Sequence, residues 1–179
     1  MKHHDMTTPP DLTLSTGTGP QQRRMPVYEN YLPPCNNACP AGENIQAWLD
    51  LAQAGRYQEA WNSLLENNPM PAVHGRVCYH PCESACNRVA VDGAVSIHAV
   101  ERFLGDMAFE QGWTPQIVGE KSNKRVLVVG AGPSGLSAAY HLARLGHDVE
   151  IRDAQPIAGG MMHFGIPSYR LPREVLAAE

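Results

Sequence analysis

The sequence has no apolar run near the roughly 18 residues that a bilayer span requires. Nor does its polar, proline-rich amino end carry the apolar stretch that directs export. A surplus of positive charge is missing too: 14 Lys plus Arg stand against 18 Asp plus Glu in 179 residues, a net charge of −4. Binding to nucleic acid or to an anionic membrane normally shows a basic excess, so neither partner is expected. No Ser/His/Asp triad, carboxylate pair or Cys–His nucleophile signature asks for hydrolytic chemistry. At 43% hydrophobic and 18% charged the composition is globular, which excludes wholesale disorder. A cytoplasmic address is expected.

What is present is cysteine, crowded into one half of the chain. The five stand at 35, 39, 78, 82 and 86. An odd, clustered set without an export signal reads as metal or cofactor ligation before it reads as disulfides. Cys35-Asn-Asn-Ala-Cys39-Pro40 and Cys78-Tyr-His-Pro-Cys82-Glu-Ser-Ala-Cys86 are spaced C-x3-C. Zinc knuckles favour C-x2-C. A cysteine followed by proline, with another four positions earlier, fits ferredoxin-type [4Fe–4S] ligation. His74, His80 and His98 lie nearby without ligand spacing and are expected at outer or surface positions.

Residues 1–25 lack apolar periodicity and are expected to be a disordered tail. Residues 26–112 read as a helical domain. Ile45, Trp48, Leu49 and Ala52 mark a helix over about 44–54, and Tyr57, Ala60, Trp61, Leu64 and Leu65 mark a second. A third, over about 96–111, carries Ile97, Val100, Phe103, Leu104 and Met107 on one stripe. Residues 113–124 read as a linker. From 125 to 179 the register changes: strand 125–129, a glycine turn, a helix over 135–146 and a strand 148–152 make the first β-α-β of a doubly wound α/β domain.

The turn is Gly130-Ala131-Gly132-Pro133-Ser134-Gly135, a G-x-G-x-x-G between strand and helix. Gly130 permits the tight turn, Gly132 lets a pyrophosphate approach the backbone, and Gly135 lets helix and strand pack closely. Asp153, at the end of the second strand, stands where an acid takes ribose hydroxyls. The motif alone does not separate FAD from NAD.

Further on, Gly159-Gly160-Met161-Met162 and Gly165-Ile166-Pro167-Ser168-Tyr169-Arg170-Leu171-Pro172 are distinctive. With them, the sequence from about residue 27 to the end resembles the small (beta) subunits of NADPH-dependent glutamate synthase. It also resembles the N-terminal part of dihydropyrimidine dehydrogenase. The resemblance implies a helical iron–sulfur domain followed by an incomplete, Rossmann-like FAD-binding domain. FAD would lie on Gly130, Ala131, Gly132, Pro133, Ser134 and Gly135. Asp153 would take the adenosine ribose, one methylene shorter than the family's usual Glu. Met161, after Gly160, would bond through its backbone, and Arg170 would hold the phosphate or flavin side.

The same resemblance implies two [4Fe–4S] clusters with crossed ligands. Cys39, Cys78 and Cys82 would share one cluster with Glu101, or with Cys35 or Cys86 in its place. The other would keep only Cys35 and Cys86, because Val27 and Asn30 stand where the family has two more thiolates. One complete cluster is therefore expected.

The expected function is an electron-transfer module of a NAD(P)H-dependent oxidoreductase, feeding a larger partner subunit. NAD(P)H would bind only in a completed protein, since a second glycine loop is absent here. The alternatives are a non-catalytic FAD and iron–sulfur adaptor, or fragment, that docks a larger oxidoreductase, and a zinc-binding interaction module. The 179-residue chain alone is expected to be inactive, its α/β domain being completed by further sequence or another polypeptide.

Overall fold

A computed structural model describes residues 32–179. The tail expected over 1–25, together with Val27 and Asn30, lies outside the described residues.

The first part is helical. Helices α1 (Pro34–Ala38), α2 (Ile45–Gln53), α3 (Tyr57–Leu64), α4 (Pro71–Val77), α5 (Pro81–Ser84) and α6 (Ile97–Gln111) follow in order, with a 3-10 turn at Asn87–Ala90. The three amphipathic segments read from the sequence are α2, α3 and α6. Asn44 caps α2, its side chain accepting from the Ala47 N–H, and Gly112 ends α6 in the left-handed conformation at φ 64°.

The stripe expected on α6 needs one correction. Its buried residues are Ile97, Glu101, Leu104, Gly105 and Ala108, whereas Phe103 is exposed and meets Tyr57 edge-on at 5.3 Å. The inward face thus runs through a glutamate and a glycine, because α4 crosses there at backbone contact. A β-carbon on Gly75 would stand 2.6 Å from Arg102 N, and one on Gly105 would stand 2.5 Å from Ala72 N. No other residue permits that approach. Arg76 of α4 clamps the crossing through Asp106 of α6 at 2.8 Å.

Two parallel strands, β1 (Arg125–Val129) and β2 (Asp148–Arg152), pair with Arg125 opposite Asp148 and Val129 opposite Arg152. Helix α7 (Pro133–Arg144) joins them. It begins two residues earlier than the sequence suggested, since Pro133 at the first helical position needs no N–H partner. Short helices α8 (Met161–Phe164) and α9 (Arg173–Ala178) follow.

Apolar packing ties the two parts together. Met70 and Val73 of the helical part bury against Met162 and Leu171. Tyr140 and Arg144 of α7 donate to the Leu65 carbonyl at 3.1 and 2.9 Å. Among the described residues, no helix is long and apolar enough to cross a membrane.

Candidate functional site

Cys39 closes α1, Cys78 closes α4 and Cys82 lies in α5, so three helix ends bring these thiols together. With Glu43, His74, His80 and Glu101 they line one cavity of about 280 Å³. The turn between Cys78 and Cys82 curls tightly. His80 takes a left-handed conformation at φ 52°, and its N–H donates to Cys78 Sγ at 3.3 Å. Its ring stacks on His98 at 4.4 Å.

Glu83 of α5 then anchors the start of α6. Its Oε1 accepts from the His98 backbone N–H at 2.9 Å and lies 2.7 Å from His98 Nδ1. One turn further along, Glu101 faces the cavity. The histidines expected at outer positions thus split: His74 and His80 line the cavity, and His98 buttresses it.

Cys35 and Cys86 do not line that cavity. They lie near each other, close enough for a thiolate on one to raise the pKa of the other. All five cysteines are unpaired thiols.

Burial dominates the electrostatics. It pushes the Cys82 thiol up to about 12 and raises Cys78 and Cys35. Burial, reinforced by the nearby Glu43 carboxylate, pushes Glu101 up to about 9. Without a cation these donors hold their protons, so ligation must release them. Among the described residues, no three His, Cys, Asp or Glu side chains converge on a point that one metal ion would occupy. Three thiols and a carboxyl spread around one cavity suit a group with several metal corners better than a lone tetrahedral ion.

Sequence reasoning missed the polar layer behind the cavity. Asn68 is fully buried, and its Nδ2 donates to Glu101 Oε1 at 2.6 Å. Glu43 is buried beside it and accepts from Trp48 Nε1 at 3.3 Å. The only sequence signal was the turn Asn67-Asn68-Pro69, which reads as a helix stop.

The glycine loop has the form a dinucleotide needs. Gly130 sits at φ 105°, and a β-carbon on Gly135 would stand 1.9 Å from Gly130 O. A β-carbon on Gly132 would meet nothing within 4 Å, leaving that face of the loop open. Pro133 and Ser134 open α7. Gly160, at φ 50°, closes from the other side, 2.8 Å from Gly132 Cα by its β-carbon position. The Gly159 N–H donates to the Ala131 carbonyl at 2.7 Å.

Asp153 stands at the end of β2, but its carboxylate is turned onto the loop. Oδ2 accepts from the Ala131 N–H at 2.6 Å and Oδ1 from the Gln155 N–H at 2.7 Å. These backbone donors hold its carboxyl below the usual range. Met161 is exposed at the start of α8. Arg170 reaches the end of α4, with Nη2 3.5 Å from the Val77 carbonyl, one residue before Cys78. Arg173, which the sequence did not single out, donates to the Ile166 carbonyl at 2.7 Å and the Met162 carbonyl at 3.1 Å. It fixes the segment that carries Arg170.

Comparison with known proteins agrees with both halves. Residues 28–113 match the family described as dihydropyrimidine dehydrogenase domain II, 4Fe-4S cluster, and residues 128–174 match an NAD(P)-binding Rossmann-like domain. The chain is thus similar to an iron–sulfur domain over its first part and to a Rossmann-like domain over its second. It is 42% identical over 168 residues to the NADP(+)-dependent formate dehydrogenase subunit beta of Moorella thermoacetica, covering 82% of this chain and 24% of that protein. It is 42% identical over 147 residues to the glutamate synthase [NADPH] small chain of Escherichia coli, covering 80% and 31%. The NADPH-Fe(3+) oxidoreductase subunit beta of Geobacter sulfurreducens is 40% identical over 151 residues, covering 83% and 22%. The chain thus spans less than a third of the length of these relatives.

Proposed function

We propose that this chain is the iron–sulfur and flavin-binding part of a NAD(P)H-dependent oxidoreductase that delivers electrons to a larger partner subunit. The observation that carries the proposal is the single cavity lined by Cys39, Cys78, Cys82 and Glu101. Those four residues would hold one [4Fe–4S] cluster, with Cys35 and Cys86 as the remnant of a second site. FAD would lie on the open face of the loop from Gly130 to Gly135, with Gly160 and Met161 closing over it. Asp153, engaged with the Ala131 N–H, would bring its remaining acceptor capacity to the ribose. Such a flavin would supply two-electron chemistry toward a nicotinamide nucleotide, and such a cluster would supply one-electron transfer.

This chain's own residues would join the two sites. Arg170, in the segment expected to face the cofactor, contacts the Val77 carbonyl beside Cys78. The exposed apolar residues Leu127 and Val129 of β1 and Ile151 of β2 are where the remainder of a doubly wound sheet would pack. A cytoplasmic address belongs to the same reading, because the thiols must stay reduced to ligate iron. The names of the relatives span formate dehydrogenase, glutamate synthase and ferric-iron oxidoreductase. The partner is therefore identified here only as an oxidoreductase subunit that accepts electrons.

Cys82→Ala in the anaerobically purified protein tests this reading. Loss of the brown iron–sulfur absorbance with flavin retained is expected. Stoichiometric zinc in place of iron in the unaltered protein would support the zinc module instead.

A further inference from the structure

Asn68 stands at 1% exposure, yet it does not line the cavity; it sits behind Glu101. The orientation of its amide follows from its neighbours. The Met70 backbone N–H can only donate, and it lies 3.1 Å from Oδ1. That atom is therefore the oxygen, and His74 Nδ1, 2.6 Å from it, carries a proton and donates. Nδ2 is left as the donor to Glu101 Oε1 at 2.6 Å. All three contacts are fixed from different directions, so the amide has no freedom to turn.

We propose that Asn68 is the positioning residue that makes Glu101 an iron ligand. By engaging Oε1 it fixes the carboxylate plane and leaves the other oxygen for the metal. This inference rests on the reading that Glu101 is the fourth ligand of the cluster. Ligating carboxylates depend on such outer hydrogen bonds for their orientation. The need is acute here, because a carboxylate is a harder donor than thiolate and holds an iron–sulfur corner less firmly. The neutral amide also lies near two buried carboxylates, Glu43 and Glu101, and donates to the second. It orients one without adding charge to a site already crowded with acidic donors.

The test compares Asn68→Asp, Asn68→Leu, Glu101→Ala, Glu101→Cys and the double variant Glu101→Cys/Asn68→Leu in anaerobically purified protein. The readouts are iron per chain and the electron paramagnetic resonance spectrum after brief oxidation. Asn68→Asp keeps an oxygen for Met70 and His74, removes the donor and adds a carboxyl beside Glu101, so it reports on the donor even where the leucine variant fails to fold. Both Asn68 variants are expected to lose one iron corner, falling from about four toward three iron with a [3Fe–4S] signal. Glu101→Cys should keep about four iron, and Asn68→Leu should have no further effect in that background, since a thiolate needs no amide to orient it.

Unchanged iron and spectra in both Asn68 variants, with Glu101→Ala losing a corner, would overturn this inference alone. Equal loss with and without Glu101→Cys would also overturn it, by making Asn68 a support of the fold. An unaltered cluster in Glu101→Ala would overturn the ligand reading and this inference together.

Discussion

Gly105 of α6 lies so close to Ala72 of α4 that a β-carbon on the glycine would stand 2.5 Å from the alanine nitrogen. The contact sets the depth of α6 against α4, and with it the reach of Glu101, one turn earlier, toward the cavity closed by Cys78. Gly105→Val must push the helices apart. Overpacking of this kind costs about 1–3 kcal/mol. Thermal unfolding should shift downward, and iron retained after anaerobic purification should drop with it. A variant that keeps its full iron content would show that the crossing does not position Glu101 for a cluster.

The two glycines of the nucleotide loop should respond differently. Gly132 has ordinary extended backbone angles and open space beyond it. Gly132→Val should therefore fold normally and keep its cluster, while losing flavin because the side chain fills the face a pyrophosphate needs. Gly135→Ala drives its β-carbon into the Gly130 carbonyl, 1.9 Å away, and should lower stability itself. Flavin-to-protein ratio and melting temperature separate the two effects.

Asp153→Ala removes the acceptor for the Ala131 and Gln155 N–H groups. Two charge-assisted bonds on an exposed loop are lost, so a small loss of stability is expected together with weakened flavin retention. Asp153→Glu, with the longer side chain, should restore flavin binding at least in part. Identical flavin affinity in all three forms would separate Asp153 from the cofactor.

Much of this was legible in the sequence because the signals were local. The stripes of α2 and α3 and the strand–glycine–helix pattern of β1 and α7 each specify an element without reference to distant residues. Helix α4, Pro-Ala-Val-His-Gly-Arg-Val, has no such stripe; small residues and a glycine form it because α6 packs on it at backbone distance. Asn68 and Glu43 were invisible for a related reason. A buried polar residue is written in the same letters as a solvated turn, and only the tertiary partners distinguish them. Phe103 failed the other way, being apolar and on the expected face but displaced outward where Gly105 and Glu101 meet α4.

The cluster-free protein should weaken as pH rises. Burial, with the Glu43 charge beside it, lifts the folded Glu101 carboxyl to about 9 from an ordinary 4.5. Between those values the folded state binds the extra proton. Its contribution is therefore complete below about 4.5 and lost as pH rises through about 9. Urea midpoints of chelator-treated protein should fall across that window, and Glu101→Gln should flatten the decline. A midpoint that rises with pH in the unaltered protein would contradict the assignment.

The most direct measurement is iron and sulfide per chain after anaerobic reconstitution, in the unaltered protein and in Cys82→Ala and Cys35→Ala. One cluster on Cys39, Cys78, Cys82 and Glu101 gives about four of each, nearly all lost in Cys82→Ala and retained in Cys35→Ala. Reproducible binding of about eight irons, or loss of the cluster in Cys35→Ala, would contradict that ligand set.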